Sequence, residues 1–237
     1  MSSPLTAELR ARPPFIHGEN GYWGLEWNAL AWLEETVQAG MVTLETGAGA
    51  STMVFAARGA EHQVVTVAAE EEAKIRAECE RHGISSEKVS FEVGLSHDVL
   101  PHLAPRALDL ALIDGAHGFP YPVLDWWYVA PQVKVGGLMV LDDAYMAPVG
   151  LLVDWLESSS AWRIEAAPGF RTVVVRKLAQ ELPPFDWHGE RVGRELSFRY
   201  LPTVRRARAA ARQRVFATRA GLAVARLARR RAGFLWR

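Results

Sequence analysis

Short apolar runs alternate with helix-like segments between residues 41 and 177, and this alternation constrains the fold more than any other feature. The run at 108–113 is apolar at every position except Asp109, as expected for a strand that is covered on both faces. Strands and helices that alternate in this way form a parallel sheet with helices packed on it. The sequence therefore predicts a doubly wound α/β domain.

Seven strands are predicted, at Val42–Glu45, Gln63–Ala68, Val89–Val93, Leu108–Asp114, Leu138–Asp142, Trp162–Ala166 and Thr172–Arg176. Helices are predicted at Thr52–Ala57, Glu70–Arg81, Tyr121–Ala130 and Val149–Ser159, with an amphipathic helix near Leu25–Val37. Because Pro168-Gly169 is a turn signal between the last two strands, these strands are expected to form an antiparallel hairpin.

The first predicted strand ends in a glycine-rich turn, which carries Glu45, Gly47 and Gly49, and Ser51 and Thr52 open the following helix. Such a turn brings bare backbone and a helix N-terminus against a ligand. Thr52 stands where the dinucleotide fingerprint has its third glycine, which disfavours a nicotinamide dehydrogenase. The pattern predicts a nucleotide-like cofactor.

Acidic residues end three of the predicted strands. Glu45 ends the first strand, Asp114 the fourth, and Asp142 and Asp143 follow the fifth. The carboxyl ends of neighbouring strands line one crevice, where close carboxylates repel one another unless a cation lies among them. Asp114, Asp142 and Asp143 are therefore candidate ligands for Mg²⁺. The alternative is structural: the pair at 142–143 caps the following turn and Asp114 anchors its loop.

Three motifs occur in order: Glu-x-Gly-x-Gly at 45–49, Ile-Asp-Gly-x-His at 113–117, and Lys-Val-Gly-Gly-Leu-Met-Val-Leu-Asp-Asp at 134–143. Together they resemble the class I S-adenosylmethionine-dependent methyltransferases, in the bacterial branch of metal-dependent catechol and sugar O-methyltransferases. The resemblance covers residues 40–177. It implies a Rossmann-like sheet of seven strands with the last antiparallel, bound S-adenosylmethionine, and Mg²⁺ held by Asp114, Asp142 and Asp143. It also implies that Asp114 lies beside the cofactor and the reacting atoms.

His117 lies three residues beyond Asp114, near the place where the catechol enzymes have a basic lysine. Imidazole exchanges protons near neutral pH, so His117 is a candidate catalytic base for an acceptor hydroxyl. The alternative is a histidine that orients the loop by bonding to a carboxylate or to the main chain.

The sequence departs from the family at the end of the second strand, where relatives have an acidic residue that bonds the cofactor ribose. Ala68 occupies this position. Glu70, followed by Glu71 and Glu72, is the candidate to reach back, although these acids are also typical of a helix first turn. After the third strand, Ser96 and Asp98 are candidate adenine contacts, with a helix N-cap as the alternative.

The net charge of zero conceals an asymmetry. Residues 203–237 contain eleven arginines and no acidic residue, so residues 1–202 carry a net charge of −11. The basic segment is interpreted as a helical tail that is solvated, docks on the acidic body, or contacts an anionic membrane surface. Nucleic acid is a disfavoured partner because no recognition motif accompanies the charge. The oligomeric state is not predicted.

Four regions are expected: an N-terminal leader or lid with a first helix (1–40), the methyltransferase domain (41–178), a linker (179–202) and the basic tail (203–237). No run is apolar enough for a membrane span or a signal peptide, and a single cysteine, Cys79, permits no internal disulfide. We expect a cytoplasmic protein, with the inner membrane face as an alternative site for the tail.

The predicted function is O-methylation of a small-molecule or sugar hydroxyl from S-adenosylmethionine with Mg²⁺ assistance. Two alternatives remain open at this point. One is a cofactor-binding protein that has lost catalysis, as Ala68 suggests. The other is a membrane- or complex-associated module that acts through the tail.

Overall fold

The computed structural model describes residues 4–17, 24–180 and 202–216, and all that follows concerns these ranges. The chain divides into two compact units, Met1–Asp186 and Trp187–Arg237. Most of the predicted linker, the end of the predicted tail and the centre of the leader lie outside the described residues.

The first unit contains seven strands: β1 (Val42–Thr46), β2 (Glu61–Thr66), β3 (Val89–Val93), β4 (Leu108–Ile113), β5 (Val133–Leu141), β6 (Trp162–Ala166) and β7 (Val173–Lys177). They form one sheet in the order β3-β2-β1-β4-β5-β7-β6. The pairs among β1 to β5 are parallel, and β7 runs antiparallel to both β5 and β6. The predicted Rossmann-like methyltransferase sheet and its terminal hairpin are confirmed.

The helices of this unit are α1 (Leu5–Ala11), α2 (Trp27–Thr36), α3 (Ala50–Ala57), α4 (Ala69–Arg81), α5 (Ser96–Val99), α6 (Tyr121–Val129) and α7 (Ala147–Ser158). Helices α1 and α5 were not predicted, because each is too short to show helical periodicity in the sequence. One hydrophobic cluster contains residues of α2, α3 and α4, and a second contains residues of α6 and α7. The central strands contribute to both clusters, as their continuous apolar runs predicted.

Five of the predicted strands have different bounds in the structure, and the differences are largest for β2 and β5. Strand β2 ends at Thr66, and Ala68 is the extended N-cap of α4 rather than a strand residue. Strand β5 begins at Val133, so Gly136 and Gly137 lie inside it. A side chain at Gly137 would lie 3.1 Å from the backbone oxygen of Asp109 on β4, which explains the glycine at this close approach.

The described part of the second unit is one helix, α8 (Thr203–Phe216). The sequence predicts a helix in this segment, and residues 203–216 form one. This helix carries five arginines and no acidic residue. Among the described residues, no helix is long and apolar enough to cross a membrane.

Candidate active site

The turn after β1 approaches the end of β4 so closely that only glycine fits. Gly47 has a φ of +88°, and a Cβ at this position would lie 2.2 Å from the carbonyl oxygen of Asp114. A backbone with positive φ is strained for other residues, and the contact leaves no room for a side chain. Gly47 therefore allows the ends of β1 and β4 to lie side by side.

The carboxylate of Glu45 is buried at the base of this turn, with its residue only 1% exposed. One oxygen accepts a very short hydrogen bond from the Thr52 hydroxyl and lies 3.2 Å from His62 Nε2. The Thr52 hydroxyl in turn accepts a hydrogen bond from the Gly49 N–H, at 3.1 Å. Thr52 thus holds the turn together, and the buried Ser51 lies beside it in the first turn of α3.

The second oxygen of Glu45 is buried and has no hydrogen-bond partner within the described part of the chain. A buried carboxylate oxygen without a partner is costly unless a ligand satisfies it. The bare turn, the start of α3 and this oxygen together fit a cofactor with hydroxyl or amine donors. S-adenosylmethionine carries such donors on its ribose and amino groups.

Glu71, and not Glu70, reaches back to the end of β2. One Glu71 oxygen accepts a very short hydrogen bond from the Thr66 hydroxyl, and the other lies 2.9 Å from His17 Nδ1. Glu70 is exposed on the outer surface of α4. His17 also approaches the glycine turn, since a Cβ at Gly49 would lie 3.8 Å from its Nε2.

The hydrogen bond between His17 and Glu71 shifts the pKa of the two side chains in opposite directions. The hydrogen bond to Glu71 raises the pKa of His17, and burial only partly opposes this effect. Burial alone would raise the pKa of Glu71, but the hydrogen bonds with His17 and Thr66 outweigh it and lower the pKa. Glu71 is therefore held as a carboxylate beside the turn.

Asp125 is a buried acid that the sequence reasoning missed. It lies on α6, is 0% exposed, and neither of its oxygens makes a hydrogen bond of regular geometry within the described ranges. Burial raises its pKa, although the nearby hydroxyls of Ser96 and Thr46 oppose the shift. Ser96 thus lies next to Asp125, which is also close to Thr46 at the end of β1. The available signal was an acid inside the apolar run 121–129.

The three predicted aspartates meet at the carboxyl edge of β4 and β5. Asp114 directly follows β4, where Ile113 pairs with Leu141, the last residue of β5. Asp142 and Asp143 come next, and Asp143 has a φ of +52°. The neighbouring strands thus bring the three aspartates to one edge of the sheet, as expected from the sequence.

Asp114 remains 19% exposed at its side chain and shares this edge with other acids. Burial, followed by the charges of Asp142, Glu45 and Asp143, raises the pKa of Asp114 well above its ordinary value, and Arg171 opposes this rise. His117 Nε2 lies 4.0 Å from Asp114 Oδ1 and 3.2 Å from Asp143 Oδ2. His117 is thus placed between two acids at the mouth of the crevice, with its side chain 31% exposed.

Arg171 enters the acid cluster from the loop between β6 and β7, and the sequence reasoning missed it. Its two terminal nitrogens lie 3.4 Å from Asp142 Oδ2 and 3.3 Å from Asp143 Oδ1. The other Asp142 oxygen accepts a hydrogen bond of 2.6 Å from the Thr172 hydroxyl. No local pattern marks Arg171, which lies 28 residues beyond Asp143 in the sequence.

The prediction of Mg²⁺ at Asp114, Asp142 and Asp143 is not supported by this arrangement. Mg²⁺ requires near-octahedral oxygen ligands at about 2.0–2.1 Å. The oxygens of Asp142 and Asp143 instead face Arg171, Thr172 and His117. Within the ranges that the structure describes, no group of three or more His, Cys, Asp or Glu is arranged to hold a metal ion. The donor set, as it is arranged, does not fit Mg²⁺.

Comparison with known proteins shows which family the domain around this site belongs to. Residues 44–144, which run from the strand before the glycine turn to the residue after Asp143, match the family model described as a methyltransferase domain. The chain carries a class I methyltransferase domain. The resemblance to S-adenosylmethionine-dependent methyltransferases noted in the sequence is therefore confirmed at the level of this class.

Solved structures share the fold of this methyltransferase domain. A protein from Corynebacterium glutamicum is 16% identical, with a TM-score of 0.59 over 76% of this chain and 92% of its own. The O-methyltransferase NovP is 16% identical, with a TM-score of 0.57 over 68% of this chain and 84% of its own. TomG, an O-methyltransferase from Streptomyces achromogenes solved with S-adenosylmethionine, is 14% identical, with a TM-score of 0.56 over 76% and 92%. No curated protein matches the sequence.

Proposed function

We propose that this chain transfers a methyl group from S-adenosylmethionine to a hydroxyl oxygen of a small molecule, with His117 as the base. The observation that carries the proposal is the position of His117 Nε2, 3.2 Å from Asp143 at the carboxyl edge that also holds the cofactor turn. An imidazole beside a carboxylate accepts a proton and is stabilised as imidazolium.

S-adenosylmethionine, held at the turn that carries Glu45, Gly47 and Gly49, would supply an electrophilic methyl group and would leave as S-adenosylhomocysteine. His117 takes the proton of the acceptor hydroxyl as that oxygen receives the methyl group. The products are a methyl ether, S-adenosylhomocysteine and a protonated His117, which Asp143 stabilises at 3.2 Å. The other residues of the site act by position and charge.

Glu71 is proposed as the ribose contact that Ala68 does not provide. Its carboxylate lies at the end of β2 and is kept ionised by His17 and Thr66. This assignment replaces Glu70, which is exposed on the outer side of α4. Since Glu71 supplies a carboxylate in this region, the departure at Ala68 gives little support to a protein that has lost its cofactor.

Exposed aromatic side chains favour a small-molecule acceptor, whether a sugar or another metabolite. Phe119 lies two residues after His117, Tyr145 lies two residues after Asp143, and Phe170 directly precedes Arg171. All three are exposed, and Phe170 is 85% exposed. The rings of Tyr145 and Phe170 lie 6.3 Å apart. Aromatic faces next to a polar site are suited to stacking on a flat ring or on the apolar face of a sugar.

The test measures S-adenosylhomocysteine release on a panel of sugar and phenolic hydroxyl acceptors, with cofactor affinity measured separately by calorimetry. The variant is His117→Asn, and the control is His102→Asn, which changes an exposed histidine. We expect His117→Asn to lower kcat by about 10²–10⁴-fold with unchanged cofactor affinity. Equal turnover by both variants would refute the role of His117. Tight cofactor binding without turnover on any acceptor would favour a non-catalytic binding protein.

A further inference from the structure

Arg171 is anchored from two directions before it meets the acids. Its backbone N–H donates to Glu26 Oε2 at 2.6 Å, and its Nη2 donates to the carbonyl oxygen of Gly24 at 2.7 Å. Glu26 approaches this loop because Gly169 has no side chain, since a Cβ there would lie 2.2 Å from Glu26 Oε2. The segment before α2 thus fixes the position of the guanidinium.

The guanidinium faces both acids of the pair after β5. One terminal nitrogen lies 3.4 Å from Asp142 Oδ2 and the other 3.3 Å from Asp143 Oδ1. Thr172 donates to the second Asp142 oxygen, and His117 lies beside the second Asp143 oxygen. Asp143 Oδ1 meets Arg171 as an ion pair and makes no hydrogen bond within the described residues. Arginine is always charged and its planar fork suits two carboxylates at once.

We infer that Arg171 takes the place that a divalent cation would have in this site, so that Asp142 and Asp143 are neutralised by the chain itself. The acids then bind no divalent metal in the native protein, and deprotonation of the acceptor depends on His117 alone. The second consequence rests on the proposed function, whereas the first concerns only the acids and Arg171.

The experiment titrates Mn²⁺ alone into the full chain and follows free Mn²⁺ by electron paramagnetic resonance. The proteins are wild type, Asp142→Asn, Arg171→Met, and Arg171→Met combined with Asp142→Asn. Methionine removes the charge and keeps the apolar part of the side chain. Arg163→Met is the matched control, because Arg163 lies on β6 of the same hairpin and pairs with Glu165 away from the acids.

Wild type and Arg163→Met are expected to show no Mn²⁺ site tighter than about 1 mM. Arg171→Met is expected to gain one site of at least about tenfold higher affinity, which the added Asp142→Asn removes. Circular dichroism checks that each variant is folded. Arg171→Gln replaces Arg171→Met if the latter does not fold.

Stoichiometric binding of Mn²⁺ to wild type, lost in Asp142→Asn, would overturn the inference. Absence of binding in every folded Arg171 variant would also overturn it, since the acids would then not be a latent cation site. Both outcomes are independent of turnover. Failure to find any acceptor would therefore count against the proposed function without affecting this result.

Discussion

A Cβ on Gly47 would lie 2.2 Å from the carbonyl oxygen of Asp114, so the cofactor turn and the acidic edge of β4 are in direct backbone contact. This contact joins the two parts of the site. The turn after β1 carries the features that fit the cofactor, and Asp114 at the end of β4 is one of the two acids beside the proposed base. A change at Gly47 therefore affects both.

Gly47→Ala is expected to destabilise the fold by on the order of 2–4 kcal/mol, because it adds backbone strain and a clash with main-chain atoms. Gly40→Ala is the matched control. Gly40 also has a positive φ, of +82°, but a Cβ there meets no atom within 4 Å among the described residues. Urea unfolding of both variants isolates the cost of the contact. Equal losses of stability in the two variants would show that the contact with Asp114 costs nothing beyond the strain of a positive φ.

Glu71→Gln is expected to weaken S-adenosylmethionine binding by about tenfold or more, since a charged hydrogen-bond acceptor contributes roughly 1.5–3 kcal/mol. Glu70→Gln, one residue away on the same helix and exposed, is expected to leave the affinity unchanged. Calorimetric titration of the cofactor into each variant decides between them. A larger loss in Glu70→Gln would restore the assignment made from the sequence.

The pair of His17 and Glu71 is expected to make stability depend on pH. The pKa of His17 is raised in the folded protein, so its contribution is fully present below the unfolded value, about 6.5, and disappears as the pH rises through the folded value. The pKa of Glu71 is lowered in the folded protein, so its contribution to stability is lost as the pH falls through the folded value.

His17→Gln should accordingly lower the melting temperature more at about pH 6 than at about pH 8.5. The effect is expected to stay below about 1 kcal/mol, because the side chain of His17 is 30% exposed. Scanning fluorimetry across this pH range is the measurement, with His102→Gln as the control. A pH-independent difference between His17→Gln and wild type would show that the pair is not coupled to folding.

Cys79 is expected to be inert in the folded protein. It is buried on α4, and burial raises the pKa of its thiol to about 11. Because the thiolate is the reactive form, a disulfide reagent should modify it only after unfolding. Ellman's reagent with and without denaturant measures this directly. Fast modification under native conditions would mean that α4 opens locally.

The sequence pattern alone predicted those parts of the site that depend only on residues close together in the chain. The strand ends at Glu45, Asp114 and Asp142 follow apolar runs, and parallel strands in this order place their ends at one edge. Glu70 was assigned in place of Glu71 for a different reason. Successive helical residues differ by about 100° in direction, so a one-residue uncertainty in where α4 begins decides which acid faces the turn.

The sequence by itself determined the alternating strands and helices, the glycine turn and the acidic strand ends, because these depend on periodicity and on backbone freedom within a few residues. Only the tertiary structure decided which cation meets the acids and which buried acid lies close to the end of β1. Arg171 reaches Asp142 and Asp143 through a hairpin, and Asp125 lies near Ser96 through the packing of α6. Such contacts join residues far apart in the chain, and local pattern does not encode them.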